Sequence, residues 1–446
     1  MTGPSRPNIL LVHWHDLGRH LGTYGHPGVP SPNVDRLAEH GLRFDNAFAT
    51  APLCSPARGS LFTGRYPHDN GLLGLAHLGW EYRAGVRTLP ALLGDAGYRT
   101  ALAGMQHESS EPSTLGYQEF FALRTTYLER EYCDGVTDAA TAWLARAALD
   151  DRPFFLSVGF EEVHRPYPTD RYAPDDPAGV EVPPFLPDNE WTRDDLASFQ
   201  GSIRAADAAV GRLLSALDEL RLTADTWVVF TTDHGVAFPR AKSTLYDPGT
   251  GVALIMRPPT AWSSPRGATD RLFSHVDFVP TVLDALGLPV PPEVQGVSHA
   301  EWLRGGDPAP AREHVFTEKN FHDIYDPLRA VRDTKFKYIR NFEPRPLLPL
   351  PGDLEASPTR YGYGDAHLAH RPDDELYDLR DDPWEQHNVA AEPQYAEVRA
   401  RLARHLESWQ QESGDPLLKG PLPVPPWPRQ PRYGALVDDE GGPWAR

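Results

Sequence analysis

The chain has 446 residues, 40% of them apolar and 24% charged, enough for one large domain, or a large domain with a small companion, around a sizeable core. A formal charge of −19 argues against a nucleic-acid-binding surface, and no apolar run approaches the ~20 residues needed to cross a bilayer. Two cysteines, Cys54 and Cys133, exclude a disulfide framework and leave only a single bridge open.

The opening stretch, MTGPSRPNILLVHWHD, lacks the charged start, apolar core and cleavage site of a signal peptide, so the expected address is the cytoplasm. Residues 7–14 (PNILLVHW) form a continuous apolar run, the pattern of a strand buried on both faces. In APLCSPARGSLFTGRYP (51–67), Pro56 suits the first turn of a helix that ARGSLFTG continues. Cys54 then sits at the positive end of that helix, with Arg58 one turn on.

Further buried-strand runs follow at 98–104, 152–160, 226–233 and 251–257. Residues 198–220 read as a helix, with Ile203, Ala206, Val210, Leu213, Leu214 and Leu217 at helical spacing. Strands alternating with helices predict an α/β fold with a mostly parallel central sheet flanked by helices. After residue 325 the texture changes. Residues 328–342 alternate like two strands joined at Asp333-Thr334, and 373–390 hold a short strand and a turn. Residues 395–412 form an amphipathic helix carrying Val398, Leu402, Leu406 and Trp409. This divides the chain into a catalytic domain, 1–325, and a smaller α+β subdomain, 326–446, with a short antiparallel sheet, a helix and a proline-rich tail expected to lie extended on the surface.

Four of these strands end in polar residues: His15-Asp16, Gln106-His107, EEVH with His164, and Asp233-His234. Taken singly, an Asp after a strand is ordinarily a cap or turn former, and a lone His a structural residue. Delivered together to the carboxyl edge of one sheet, where ligands bind in open α/β folds, they form a constellation. Buried carboxylates are costly unless a cation neutralises them, which points to a metal. Oxygen ligands suit Ca²⁺, Mg²⁺ or Mn²⁺, and imidazoles shift the preference towards Mn²⁺ or Zn²⁺.

Cys54-Ser55-Pro56-Ala57-Arg58 followed by GSLFTGRYP resembles the signature of the formylglycine-dependent sulfatases, and PNILLVHWHDLG, TTDHG, KSTLYDPGTGVALI and ELYDLRDDPWEQHNVA extend the resemblance over nearly the whole chain. CSPARGSLFTGRYPHDNGLLGL, DDRPFFLSVGF and HLESWQQESGDP are most similar to the N-sulfoglucosamine sulfohydrolase (heparan N-sulfatase) branch of that family. The resemblance implies an alkaline-phosphatase-like fold and oxidation of Cys54 to formylglycine by a maturation enzyme. It implies one divalent metal, Ca²⁺ by family default with Mn²⁺ as the alternative, on Asp16, Asp233, His234 and residue 54. In that scheme a hydroxyl of the hydrated formylglycine attacks sulfur, Arg58 and Lys242 hold the formylglycine and the sulfate oxygens, His164 protonates the leaving atom, and His107 takes the proton whose loss expels sulfate.

Two positions depart from the family pattern. His15 stands where a second Asp is usual, and Met105 where a lysine is usual. One charge of each sign is lost, so the change reads as coupled; His15 is either a metal ligand or a lining residue. The expected activity is hydrolysis of a sulfate ester or sulfamate on a saccharide or other small molecule, with neither nucleic acid nor membrane as partner. The alternatives are a formylglycine-dependent phosphonate monoester or phosphodiester hydrolase, and a non-catalytic binder of sulfated glycans.

Overall fold

A computed structural model describes residues 6–122, 132–307 and 312–422. The first apolar run is β1 (Asn8–Trp14), and its residues split by parity. Ile9 and Leu11 enter one apolar cluster while Leu10, Val12 and Trp14 enter another on the opposite face. A strand sandwiched this way cannot alternate polar and apolar residues, which is why the run is continuous. The same logic forms β3 (Arg99–Gly104), β5 (Phe154–Phe160) and β6 (Thr226–Thr232), once β2 (Leu42–Phe48) and β4 (Glu119–Phe121) are placed between them in sequence.

With β7 (Leu254–Arg257) and β8 (Gly267–Ser274), the sheet has the order β4-β3-β5-β1-β6-β7-β2-β8. Every neighbouring pair is parallel except those made by β7. The segment 251–257, read from sequence like the other buried strands, is therefore the antiparallel member, and it is shorter than expected. Helices Cys133–Ala147 and Glu190–Glu219 cover one face; helices Cys54–Thr63, Leu89–Asp95 and Phe278–Ala285 cover the other. The long helix starts at Glu190 rather than near 198, because the Asn189 side chain accepts the Thr192 N–H at 3.0 Å and caps it.

A second sheet, antiparallel throughout, is built from β9 (Val315–Phe321), β10 (Tyr325–Arg332), β11 (Phe336–Asn341) and β12 (Asp374–Asp378) in the order β12-β11-β10-β9. It draws its first strand from chain ahead of residue 325. Helix Ala396–Glu412 lays Leu402, Leu406 and Trp409 against Val331, Phe336, Tyr338 and Leu376. On its other face Leu328, Ala330, Ile339 and Tyr377 pack with Leu245 and Tyr246, which follow β6 in the chain. That contact fastens the small sheet to the edge of the large one. Of the proline-rich tail, Pro416–Lys419 forms a single 3₁₀ turn rather than extended chain, and residues 423–446 lie outside the described residues. Among the described residues no helix is long and apolar enough to cross a membrane.

Candidate active site

The carboxyl ends of β1, β3, β5 and β6 and the amino end of helix Cys54–Thr63 converge on one edge of the large sheet. Asp16 leaves β1 in the left-handed region, at φ 47°, which turns the chain sharply at the strand end. Gly235 makes the matching turn after β6: a Cβ there would stand 1.8 Å from the Pro248 carbonyl oxygen, so no side chain fits.

These turns bring five side chains together. One ligand atom from each of His15, Asp16, Cys54, Asp233 and His234 lies within 4.8 Å of all the others, and all five residues are buried. The Cys54 sulfur is 3.7 Å from His15 Nδ1 and 3.6 Å from His234 Nε2. His234 Nε2 lies 2.9 Å from Asp16 Oδ1. His15 Nδ1 bridges the two carboxylates, 3.1 Å from Asp16 Oδ1 and 3.0 Å from Asp233 Oδ2. An aspartate at position 15 would add a third carboxylate to that pair, so the imidazole lowers the negative charge of the cluster.

The surrounding cations complete the charge balance. Arg58 donates through Nε to Asp233 Oδ2 at 3.1 Å, with Nη2 at the same distance. The backbone N–H groups of Asp16 and His234 donate to Asp233 Oδ1 at 3.0 and 2.8 Å. Lys242 Nζ donates to Asp16 Oδ2 at 2.8 Å and to Asp353 Oδ2 at 2.7 Å. Burial works to raise both Asp16 and Asp233, but Lys242 and the histidines around Asp16, and His15, His234 and Arg58 around Asp233, hold both below the usual carboxylate range. Burial pushes the Cys54 thiol well up. An unmodified thiol here is therefore a neutral group, a poor nucleophile in spite of the helix end beneath it.

His164 and His107 stand at the next radius. His164 Nε2 is 3.4 Å from Lys242 Nζ and 3.7 Å from Asp16 Oδ2, and its ring centroid is 4.6 Å from that of His15. The His107 ring lies 6.0 Å from His15 and stacks on His77, with Nε2 at 2.8 Å from His77 Nδ1. Met105, the residue after β3, is buried, its backbone N–H bonded to the Gly159 carbonyl at 2.9 Å. All the residues singled out from sequence thus gather at this edge. Cys133 lies elsewhere, opening helix Cys133–Ala147, and both cysteines are free thiols.

Three participants were not read from the sequence: His77, Asp353 and His13. His13 is a polar residue inside an apolar strand, and that interruption was its signal. Its parity matches Ile9 and Leu11, so it faces helix Cys54–Thr63. Arg58 Nη1 sits 2.6 Å from His13 Nδ1, and His13 Nε2 sits 2.9 Å from Ser157 Oγ. A guanidinium only donates, so Nδ1 is the acceptor and the proton is on Nε2, towards the serine. Burial, then the Arg58 charge, keeps this ring neutral by pulling it well below the usual histidine range. His13→Leu is expected to leave the Arg58 donor buried without an acceptor, lowering unfolding free energy by about 1–3 kcal/mol. The shift of the denaturant midpoint measures it.

The cluster suits a divalent cation: two convergent carboxylates and two imidazoles form a mixed oxygen–nitrogen donor set, with the Cys54 sulfur beside them. Comparison with known proteins agrees with this chemistry. Residues 7–288 match the Sulfatase family and residues 235–360 match the family described as N-sulphoglucosamine sulphohydrolase, C-terminal. Human N-sulphoglucosamine sulphohydrolase is 31% identical over 94% of this chain and 92% of its own length. An ulvan-active sulfatase of Formosa agariphila is 29% identical over 94% of this chain and 83% of its own. Among solved structures, a protein in complex with its substrate D-glucosamine-2-N,6-O-disulfate shares the fold with a TM-score of 0.73 at 21% identity, covering 94% of this chain and 99% of that one. The phosphonate monoester hydrolase of Agrobacterium radiobacter shares it with a TM-score of 0.71 at 23% identity, covering 92% and 96%. A cysteine at a helix start, set against paired carboxylates at the edge of an alkaline-phosphatase-like sheet, is what that likeness leads one to look for: this chain belongs to the sulfatase family.

Proposed function

We propose that this protein hydrolyses a sulfate ester or sulfamate on a small saccharide, with residue 54 as the nucleophile after a maturation enzyme has oxidised Cys54 to formylglycine. The observation that carries the reading is the position of the Cys54 side chain, within one cluster with two carboxylates and two imidazoles and flanked by Arg58 and Lys242. As a hydrated aldehyde, residue 54 supplies one hydroxyl for attack on sulfur and a second whose deprotonation releases sulfate. Asp16, Asp233, His234 and His15 would hold one divalent cation, calcium by family default with manganese accepted through the imidazoles. Such a cation draws charge from the sulfate oxygens and makes the hydroxyl more acidic.

The other roles follow from position. Arg58 orients Asp233 through both of its contacts and keeps a fixed positive charge one turn from residue 54. Lys242 presents its ammonium beside His164, where sulfate oxygens gain charge in the transition state. With Met105 in place of a lysine, Arg58 and Lys242 carry that duty. Burial, then the Lys242 charge, pulls His164 down to about 3, and a bound sulfate anion opposes both effects and favours the protonated ring. His164 then gives its proton to the leaving oxygen or nitrogen. His107 Nε2 and His77 Nδ1 share a proton at 2.8 Å, and in the tautomer with that proton on His107 its other ring nitrogen keeps a lone pair to remove the proton of the second hydroxyl.

A substrate panel tests the reading. The matured protein is expected to release sulfate from N-sulfoglucosamine or an O-sulfated sugar with a higher kcat/KM than it shows for phosphonate monoesters or phosphodiesters. Chelation should remove that turnover, and Ca²⁺ or Mn²⁺ should restore it. A preference for the phosphorus esters would reassign the site to phosphonate or phosphodiester hydrolysis, and turnover of none of them would leave a glycan binder.

A further inference from the structure

Asp353 reaches the site from the chain between β11 and β12. It lies in the single helical turn Gly352–Glu355, whose Gly352 N–H donates to Asp323 Oδ2 at 2.7 Å and whose Leu354 is fully buried. The small sheet therefore holds this carboxylate over the edge of the large one. Its two oxygens are unequal. Oδ2 accepts from Lys242 at 2.7 Å, whereas Oδ1 is buried and, among the described residues, has no hydrogen-bond partner. A buried carboxylate oxygen left without a donor is costly, so the arrangement calls for a donor from a ligand.

That donor is not on the sulfate group, whose oxygens are negative and are repelled by Asp353. Nor is it a second metal ion, because the Lys242 ammonium already bridges Asp16 and Asp353. A donor on the leaving group fits, because the proton donor assigned to that group, His164, stands beside the same Lys242 at 3.4 Å. We propose that Asp353 is a specificity-determining residue whose Oδ1 accepts the N–H of a sulfamate nitrogen, so that the site favours S–N over S–O cleavage at the same position of a sugar. This rests on the hydrolytic reading given above.

The chemistry discriminates sharply between the two bonds. In a sulfamate the bridging nitrogen carries one hydrogen, which Oδ1 receives. As the new S–O bond to residue 54 forms, the S–N pair returns to nitrogen, which takes a proton from His164 and becomes partly positive. The amine leaves and takes a further proton from water to become an ammonium. A carboxylate stabilises every stage of that sequence. The bridging oxygen of a sulfate ester has no hydrogen and meets Oδ1 with a lone pair. Burial works to raise Asp353, but Lys242 and His164 keep it below the usual range, so the acceptor is ionised.

The test compares N-sulfoglucosamine with glucose 2-sulfate, which differ only in the bridging atom, in the wild type and in Asp353→Asn. Lys242 takes the amide oxygen of the variant, turning its NH₂ towards the substrate nitrogen, donor against donor. Both substrates lose rate through the weakened Lys242 contact, and the expected further loss in kcat/KM for the sulfamate over the ester is about 10- to 100-fold, the size of one charge-assisted hydrogen bond. Competitive inhibition by glucosamine should weaken about tenfold in the same variant, a binding readout that needs no turnover of the product. Asp353→Ser, which removes the carboxylate without an amide to accommodate, should reproduce the changed ratio. Equal losses on both substrates would overturn the assignment and leave Asp353 as a support for Lys242. Sulfate release from neither substrate by the wild type would instead bring down the hydrolytic reading, and this inference with it.

Discussion

Cys54→Ser is expected to fold and to keep its cluster of carboxylates and imidazoles, yet to lose turnover by on the order of 10³-fold or more. The side chain is small and buried, so a hydroxyl for a thiol changes little in the packing. The loss comes from chemistry. A serine has one hydroxyl, so it can accept the sulfo group once and has no second hydroxyl whose deprotonation expels sulfate. The expected signature is at most a stoichiometric burst of amine or alcohol without steady turnover. Protein made without the maturation enzyme should likewise lack steady turnover, because a thiol has no second hydroxyl whose deprotonation expels sulfate. Cys133→Ala, at the start of a helix away from the cluster, should leave kcat near the wild-type value.

Arg58→Met carries the second large effect, and it divides between stability and rate. The guanidinium is fully buried, contacts Asp233 through Nε and Nη2 at 3.1 Å, and donates to His13. Breaking a buried ion pair by removing one partner costs about 3–5 kcal/mol. Asp233 keeps its two backbone N–H donors and His15, so the lower end of that range, about 3 kcal/mol, is expected. Separately, kcat/KM should fall by about 10²- to 10³-fold as the transition state loses a fixed positive charge. Arg58→Lys should recover part of the rate but little of the stability, since an ammonium cannot make the two-nitrogen contact. Unfolding midpoints and steady-state kinetics separate the two losses; an unchanged midpoint would contradict the network drawn around Asp233.

Much of the site was legible because buried parallel strands announce themselves. Four apolar runs stop at polar residues, and the parallel arrangement delivers those stops to one edge, so the sequence alone groups Asp16, His107, His164 and Asp233. Cys54 and Arg58 were legible through the proline that starts their helix and through the family signature. Lys242 came from the family resemblance alone, for nothing in its local sequence points to a cation between two carboxylates. β2 was missed because its burial alternates, with Arg43, Asp45 and Asn46 only partly covered, so it never forms the continuous run that betrays its neighbours. β7 was found without its direction, since three buried apolar residues before Arg257 read alike from either end. Asp353 lies 111 residues from Lys242 in a proline-bounded segment, and tertiary contacts bring the two together: Leu245 and Tyr246 pack on the small sheet and Thr359 bonds Asp195 of the long helix. His13 was passed over inside a run taken as continuously apolar, and its partner Arg58 emerges only from strand parity and the helix that crosses it.

The most direct test of the central claim is peptide mass spectrometry of the tryptic fragment containing residue 54, quantified alongside sulfate release by the same samples. Preparations made with graded amounts of the maturation enzyme should show specific activity rising in proportion to the fraction of residue 54 present as the aldehyde, and extrapolating to zero at none. Full activity in protein whose residue 54 is entirely the thiol would contradict the formylglycine mechanism and leave Cys54 as a ligand or a packing residue.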